Sequence, residues 1–357
     1  MNLDTALGLE REPHGSSDDP DLLDFSANIN PEVPPGVEAV YREAFAAARS
    51  YPAEPPAAFR EAAADYVDCD PDAVVPTPGG LAAIRAVVSL AVNSGDTALL
   101  PAPSFGEYAR EVRLQGGEPA FVAADSVLDA DPADHALAVV CAPNNPTGTD
   151  YEREDVERFA ARCRAADTTL LVDEAFRGFT DRPSLAGTEG VVIARSLTKL
   201  FGLPGIRTGF AVATGEFGAA LERARRPWNV SVPALATGAH CMRQEEFIRK
   251  SRERVREERS RMATALAERY DVTPSEAPFL LLDVGGAESR RSVEQVVADA
   301  RDRGVAIRDA TTFRGLDSHV RVAVRRPAEN DRLLAALGVM GGERTDAEAT
   351  DPRGDDV

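Results

Sequence analysis

Lysine is almost absent from this chain of 357 residues, in which Lys and Arg total 40 and only Lys199 and Lys250 are lysines. Lys199 lies in the stretch ARSLTKLFGLPGIRTGF, residues 194–210. Because arginine supplies nearly all of the positive charge, a lysine at this place indicates a role that arginine cannot fill. Arginine stays protonated in proteins, whereas a desolvated lysine amine loses its proton and reacts as a nucleophile.

Positive charge is also scarce overall, since 59 Asp and Glu give a net charge of −19 and a pI near 4.7. This balance excludes the basic patches that nucleic-acid binding and anionic membrane surfaces require. An acidic, lysine-poor surface is typical of a halophilic protein, because carboxylates retain water where salt screening is strong. A GC-rich genome would also favour arginine over lysine.

Cysteine is rare, and no CxxC pair or other metal-ligand spacing occurs, so neither a disulfide framework nor a metal site is expected. The N-terminus lacks the basic start and apolar core of a signal peptide. No apolar run approaches the ~18 residues that a membrane span needs. We therefore expect a cytoplasmic protein with free thiols. The four cysteines are Cys69, Cys141, Cys163 and Cys241.

From residue 74 onwards, short apolar strands alternate with amphipathic helices, as in TALLPAP, SFGEYAREVRLQGG and ALAVVCAP. This alternation predicts an α/β fold with a mostly parallel sheet covered by helices on both faces. A long charged helix leads to a smaller α+β unit, and the acidic tail is expected to be disordered. The predicted parts are an N-terminal segment (1–40), a large domain (41–235), a small domain (236–340) and the tail (341–357).

Candidate reactive residues follow the predicted strands, where open α/β sheets place their ligands. The carboxylate of Asp173, at the end of LLVDEAF, would be costly to bury without a cationic partner. Taken singly, the other segments have ordinary interpretations: a tight turn for TPGG, a core aromatic for PSFGEY and a plain loop for APNNPTG. Their candidate residues are Gly80, Leu81, Tyr108, Asn145, Ser196, Thr198 and Arg207.

Pyridoxal 5′-phosphate is the one cofactor that uses all these parts together. A lysine forms a Schiff base with its aldehyde, and a carboxylate keeps the pyridine nitrogen protonated. An aromatic side chain stacks on the ring, and an amide contacts the ring oxygen. The phosphate is bound by amides at the start of a helix and by Ser, Thr and Arg side chains.

In order and spacing, the segments NNPTG, DEAF and SLTKLFGLPGIRTG resemble those of fold-type I pyridoxal-phosphate enzymes of the aminotransferase class I/II group. The resemblance spans roughly residues 14–335. It implies a seven-stranded, mostly parallel sheet in the large domain. It also implies a Schiff base on Lys199, Asp173 against the ring nitrogen, Asn145 at the ring oxygen and Tyr108 stacked on the ring. The phosphate ligands that it implies are the Gly80 and Leu81 amides, Ser196, Thr198 and Arg207. It also implies a homodimer, in which Tyr51 would reach the cofactor phosphate of the partner subunit.

Two subfamilies of this group resemble the chain: threonine-phosphate decarboxylases of cobalamin biosynthesis and histidinol-phosphate aminotransferases. The segment LLDFSANINP, with Asn28, resembles the decarboxylases, as does Phe176 where the aminotransferases usually have a tyrosine. The position of His14 in PHG also resembles the decarboxylases, although Ser16 replaces their second glycine. This resemblance implies decarboxylation of L-threonine O-3-phosphate, and the aminotransferase is the alternative.

The expected substrate carries a phosphate and a carboxylate, both of which arginine binds in bidentate fashion. A surface ion pair is an equally good interpretation for Arg325, and a free terminal residue for His14. A non-catalytic cofactor-binding protein is a further alternative, which the absence of a basic winged-helix segment and the presence of Lys199 disfavour. The predicted substrate residues are His14, Asn28, Arg308, Arg321 and Arg325.

Overall fold

The computed structural model describes residues 3–286 and 291–339. Its helices are α1 (Leu3–Gly8), α2 (Val37–Ala47), α3 (Ala57–Val67), α4 (Gly80–Ala91), α5 (Glu107–Gln115), α6 (Arg153–Ala165), α7 (Gly215–Ala224), α8 (Val232–Met242), α9 (Glu245–Leu266), α10 (Val293–Asp302) and α11 (Pro327–Leu337). Its strands are β1 (Leu23–Asp24), β2 (Val74–Thr77), β3 (Thr97–Ala102), β4 (Glu118–Ala123), β5 (Leu137–Cys141), β6 (Thr169–Asp173), β7 (Val191–Ser196), β8 (Gly209–Val212), β9 (Asp271–Val272), β10 (Phe279–Asp283), β11 (Val305–Ala306), β12 (Arg308–Asp309) and β13 (His319–Ala323).

The largest sheet has seven strands in the order β2-β8-β7-β6-β5-β3-β4. The five strands from β7 to β4 pair in parallel, whereas β8 pairs antiparallel with both β7 and β2. This confirms the predicted α/β fold with a mostly parallel seven-stranded sheet. Because the parallel strands share one direction, their carboxyl ends meet along one edge, as the sequence analysis required.

Helices cover both faces of this sheet. Along β5, successive side chains alternate between two separate apolar clusters, Ala138 and Val140 on one face and Val139 on the other. One cluster contains residues of α3, α6, α8 and α9, and the other contains residues of α4, α5 and α7. A strand buried on both faces explains why β5 reads as a continuous apolar run.

A buried ion-pair network fixes the ends of β6 and β7 relative to each other. Glu174 Oε2 lies 3.1 Å from Arg195 Nη1, and the backbone amide of Leu185 donates to Glu174 Oε1. Nearby, Arg177 Nη1 lies 2.6 Å from Asp150 Oδ2. Such buried pairs add little net stability over an apolar core, but their geometry holds the neighbouring strand ends in place.

A second, four-stranded sheet with the order β12-β13-β10-β9 is antiparallel throughout. Strand β1 pairs in parallel with β11, so the N-terminal segment joins the C-terminal part of the chain. The predicted boundary after residue 235 falls inside α8, which packs against α2 and α3. The predicted tail, 341–357, lies outside the described residues. Within the described ranges, no helix combines the length and apolarity needed to cross a membrane.

Candidate active site

A cavity of about 620 Å³ lies at the carboxyl ends of the parallel strands, where the N-terminal segment and the four-stranded sheet meet the large sheet. The structure brings thirteen of the predicted site residues to this cavity. They are His14, Asn28, Gly80, Leu81, Tyr108, Asn145, Asp173, Ser196, Thr198, Lys199, Arg207, Arg308 and Arg321.

Lys199 follows β7 and is half-buried in the cavity wall. Burial, with the nearby positive charges of Arg321 and Arg207, lowers the pKa of its amine to about 8. Its backbone carbonyl accepts from the amide of Asn30, which ties this turn to the N-terminal segment. The residue is therefore held in place, and its neutral, nucleophilic amine forms at a lower pH than in an ordinary lysine.

Asp173 ends β6 and is 4% exposed. The Tyr108 hydroxyl donates to its Oδ2 at 2.6 Å, and the Ala175 amide donates to its Oδ1 at 2.9 Å. Burial raises the pKa of this carboxyl group, while the two hydrogen bonds act in the opposite direction. Within the described chain it has no arginine or lysine as an ion-pair partner, so a protonated nitrogen in the cavity would supply the missing cation.

Two aromatic residues of PSFGEY line the cavity. Tyr108 is 1% exposed, and its hydroxyl donates to Asp173. Phe105 is half-buried, lines the cavity and packs edge-on against Tyr108 with ring centroids 5.6 Å apart. Phe105 is therefore a second aromatic of the cavity wall that the sequence analysis did not name.

The start of α4 forms a cradle for an anion. Gly79 has φ +99°, and a Cβ there would come within 2.7 Å of Arg207 Nη2. A Cβ on Gly80 would come within 3.1 Å of Ser196 Cβ. The hydroxyl oxygens of Ser196 and Thr198 lie 2.8 Å apart. Glycines, helix amides, hydroxyls and a guanidinium thus converge as a phosphate site requires, so the residues fit the predicted cofactor.

Arg321 of β13 approaches from the opposite side of the cavity and is 4% exposed. Its Nη1 donates to Asn145 Oδ1 at 2.5 Å, and its Nη2 donates to the Ser26 carbonyl at 2.9 Å. Burial, with Arg308 nearby, lowers the pKa of this guanidinium to about 9. A cation held in this way is a strong site for a carboxylate, which would restore the missing negative charge.

The N-terminal segment closes the cavity. Arg308 Nη2 donates to the Pro13 carbonyl at 2.8 Å, and His14 Nε2 lies 3.1 Å from Glu107 Oε1. Asn28 is buried, and its Oδ1 has no hydrogen-bond partner within the described chain. An orphaned acceptor that lines a cavity indicates a donor on a bound molecule.

Two predicted residues do not line the cavity. Arg325 Nη1 donates to the Asp24 carbonyl at 3.1 Å and its Nη2 donates to Glu329 Oε1 at 3.2 Å, so its donors serve the fold instead of a substrate. Tyr51 is 75% exposed and stacks on Trp228 with ring centroids 4.3 Å apart. It therefore lies on the surface, away from the cavity of its own chain.

Comparison with known proteins supports one family. The sequence model of aminotransferase class I and II matches residues 20–337. The chain is 29% identical over 325 residues to histidinol-phosphate aminotransferase 1 of Archaeoglobus fulgidus, covering 88% of this chain and 98% of the relative. It is 31% identical over 339 residues to threonine-phosphate decarboxylase of Salmonella typhimurium, covering 88% and 90%.

The crystal structure of L-threonine-O-3-phosphate decarboxylase from Porphyromonas gingivalis superposes with a TM-score of 0.79 at 25% identity, covering 88% of this chain and 97% of that one. Relatives of both activities thus match at similar identity. The protein is accordingly a pyridoxal-phosphate-dependent enzyme and belongs to the aminotransferase class I and II family.

Proposed function

We propose that this enzyme decarboxylates L-threonine O-3-phosphate to (R)-1-amino-2-propanol O-phosphate, a precursor for cobalamin biosynthesis. The observation that carries the proposal is Phe176, which lines the cavity and packs edge-on against Phe279 with ring centroids 5.1 Å apart. A phenylalanine supplies no phenol at this point, where the aminotransferases resembling this chain usually have a tyrosine. Asn28 and His14 in the cavity wall support the same conclusion.

The arrangement of the cavity residues supports a role for each of them. When bound, pyridoxal phosphate supplies a covalent link to amines and an electron sink. Lys199 would hold the cofactor through its amine, and Asp173 would keep a proton at the ring nitrogen. Tyr108 would stack on the ring, and its hydroxyl fixes Asp173. The Gly80 and Leu81 amides, with Ser196, Thr198 and Arg207, would hold the cofactor phosphate.

The substrate is oriented by groups from the small sheet and the N-terminal segment. Arg321 binds the carboxylate, and Arg308, His14 and Asn28 contact the remaining polar groups of the substrate. Decarboxylation requires that the bond from Cα to the carboxylate stand perpendicular to the cofactor ring, whereas transamination requires this of the Cα–H bond. Arg321 therefore selects the reaction by fixing the carboxylate, and Lys199 Nζ moves the proton at Cα.

The assembly in which this happens is a cytoplasmic homodimer, with Tyr51 of each subunit reaching the phosphate site of the other. The exposed pair of Tyr51 and Trp228 supports a contact at this surface. Sizing chromatography tests the dimer, because a fully active monomer would remove this role for Tyr51.

The decisive assay offers L-threonine O-3-phosphate to the holoenzyme and follows CO₂ release and 2-oxo acid formation in parallel. We expect CO₂ without oxo acid. The alternative is a histidinol-phosphate aminotransferase, supported by the relatives of that name. Transfer of the amino group from histidinol phosphate to 2-oxoglutarate, without CO₂ from threonine phosphate, would replace our proposal by that activity.

A further inference from the structure

Asn30 lies two residues after Asn28 in the N-terminal segment and is 4% exposed. Asn28 lines the cavity, and Asn30 does not. The side-chain amide of an asparagine has two donor hydrogens and an acceptor oxygen with two lone pairs. In Asn30 both donors and both acceptor positions are used by protein groups. This buried amide therefore holds parts of the chain together.

Asn30 contacts the turn that carries Lys199 at two points. Its backbone amide donates to the Lys199 carbonyl at 3.0 Å, and its Nδ2 donates to the Leu200 carbonyl at 2.7 Å. Gly202 ends this turn with φ +66°, and a Cβ there would lie 2.8 Å from the Asn30 carbonyl oxygen. The close approach requires a glycine, so the turn packs directly against the Asn30 backbone.

The remaining hydrogen bonds of the Asn30 side chain fix it to helix α9. Its Nδ2 also donates to Ser251 Oγ at 3.1 Å, and its Oδ1 accepts from Arg254 Nη2 at 2.6 Å. Ser251 is 1% exposed. The Glu32 amide donates to the same Oδ1 at 3.1 Å. One side chain therefore links the turn after β7 to a helix of 22 residues.

The position of this turn decides how deeply the Lys199 amine is buried. Burial is the main cause that lowers the pKa of the amine to about 8. Of the charged groups that act on the amine, Arg321 and Arg207 lower its pKa further, and Asp173 raises it. If the turn moved towards solvent, the pKa of the amine would rise towards the ordinary value of a lysine.

We propose that Asn30 is a positioning residue, which holds Lys199 where its amine reacts with pyridoxal phosphate. In that reaction the amine nitrogen bonds to the aldehyde carbon of the cofactor, and water leaves. Asn30 acts through the turn and touches neither reacting atom. The inference rests on Lys199 as the lysine that binds the cofactor, and it does not depend on which amine is the substrate.

The test compares Asn30→Ala with the matched control Asn330→Ala. Asn330 is 0% exposed, and its Nδ2 donates to Glu258 Oε2 at 2.7 Å while its Oδ1 accepts from the Arg325 amide at 2.9 Å. Both variants therefore lose a buried, hydrogen-bonded amide. The full-length protein, freed of cofactor, is mixed with pyridoxal phosphate. Stopped-flow absorbance gives the rate of covalent binding across a range of pH, and urea unfolding gives the stability.

We expect Asn30→Ala to lower the rate of covalent binding about 10-fold or more near neutral pH, because the amine is held less well. The midpoint of the pH dependence should move to higher pH, because the amine is less buried. Asn330→Ala should lose comparable stability and keep the wild-type rate and midpoint. Ser251→Ala removes one hydrogen bond of Asn30 without touching the turn, so it should move the midpoint in the same direction by less.

A wild-type rate and midpoint in Asn30→Ala would overturn the positioning role. The same changes in Asn330→Ala would overturn it too, because a general loss of stability would then explain them. If Asn30→Ala does not fold, Ser251→Ala decides, and an unchanged midpoint there would contradict the proposal.

Failure of the Lys199 assignment looks different, because Lys199→Ala would then still bind the cofactor covalently. The binding assay contains no substrate. Its result is therefore independent of whether the enzyme releases CO₂ from threonine phosphate.

Discussion

The arginines of the long helix α9 and those of the cavity differ in their ion-pair partners. On α9, Arg249 pairs with Glu246 and Glu253, and Arg261 pairs with Glu258 and Asp331. Five arginines line the cavity and form no ion pair within the described chain, although acids outnumber bases in the sequence. They are Arg113, Arg207, Arg308, Arg314 and Arg321. The difference teaches that the arginines of α9 are balanced by carboxylates of the fold, whereas those of the cavity have no ion-pair partner within the described chain.

The two lysines show the same contrast, and they give the largest expected effect. Lys199→Ala should lower kcat by about four orders of magnitude or more and remove the covalent attachment of the cofactor. Lys250 on α9 lies 3.2 Å from Glu246 at the surface, so Lys250→Ala should leave kcat unchanged. Turnover and the visible absorbance of the bound cofactor measure both variants. Full turnover by Lys199→Ala would disprove the assignment.

The next largest effect is expected at Arg321. Arg321→Gln removes a buried cation that holds a substrate carboxylate, so kcat/KM should fall by about 100-fold or more. If the position of this carboxylate decides between decarboxylation and transamination, the ratio of CO₂ to 2-oxo acid should change as well. Product analysis beside the kinetics measures this ratio. An unchanged kcat/KM would mean that the carboxylate binds elsewhere in the cavity.

The pKa of Lys199 gives a pH-dependent prediction. Because burial and the neighbouring cations lower this pKa to about 8, the neutral amine dominates above that pH and decreases as pH falls. The rate at which the cofactor-free enzyme binds pyridoxal phosphate covalently should therefore drop about 10-fold per pH unit well below 8. Stopped-flow absorbance measures this rate. In Arg321→Gln the midpoint should move to higher pH, because one of the cations that lower the pKa is removed.

A smaller effect is expected at Tyr108, which acts by positioning Asp173. Tyr108→Phe keeps the ring and removes the hydrogen bond to Oδ2, so kcat should fall by about tenfold. The hydroxyl lowers the pKa of the Asp173 carboxyl, so its loss raises that pKa. Since the ionised form is required, the acidic limb of the pH–rate profile should move to higher pH. An equal decrease in kcat at every pH would point to a purely structural role for Tyr108.

The smallest effect is expected on α9. Arg261→Gln breaks partly exposed ion pairs with Glu258 and Asp331, which should cost at most about 1 kcal/mol in the free energy of unfolding. Activity should be unchanged, and urea unfolding measures the stability. A loss of activity comparable to that of Arg321→Gln would erase the distinction between the two groups of arginines.

Much of the site could be predicted because it depends on where strands end. The apolar runs of β6 and β7 fix the places of Asp173 and Lys199, and the parallel sheet brings those places to one edge. The hydrogen bond from the Tyr108 hydroxyl to Asp173 could not be predicted in this way. It depends on how α5 is rotated about its axis, which its packing against the sheet decides.

Arg113 and Arg325 show that the local sequence does not decide which arginines line the cavity. Arg113 lies in an ordinary amphipathic helix, and nothing in its local sequence separates it from a surface residue. Arg325 lies four residues from Arg321, yet it donates to the Asp24 carbonyl and Glu329. Whether an arginine lines the cavity or only holds the fold together is decided by contacts distant in sequence.

The sequence by itself determined the α/β fold, the reactive lysine and its carboxylate, because hydrophobic periodicity and residue chemistry are local properties of the chain. Only the tertiary structure decided that Tyr108 donates to Asp173 and which arginines remain without an ion-pair partner. It also showed how the N-terminal segment meets the cavity. These features depend on packing between segments up to about three hundred residues apart, as in the contact of Arg308 with Pro13.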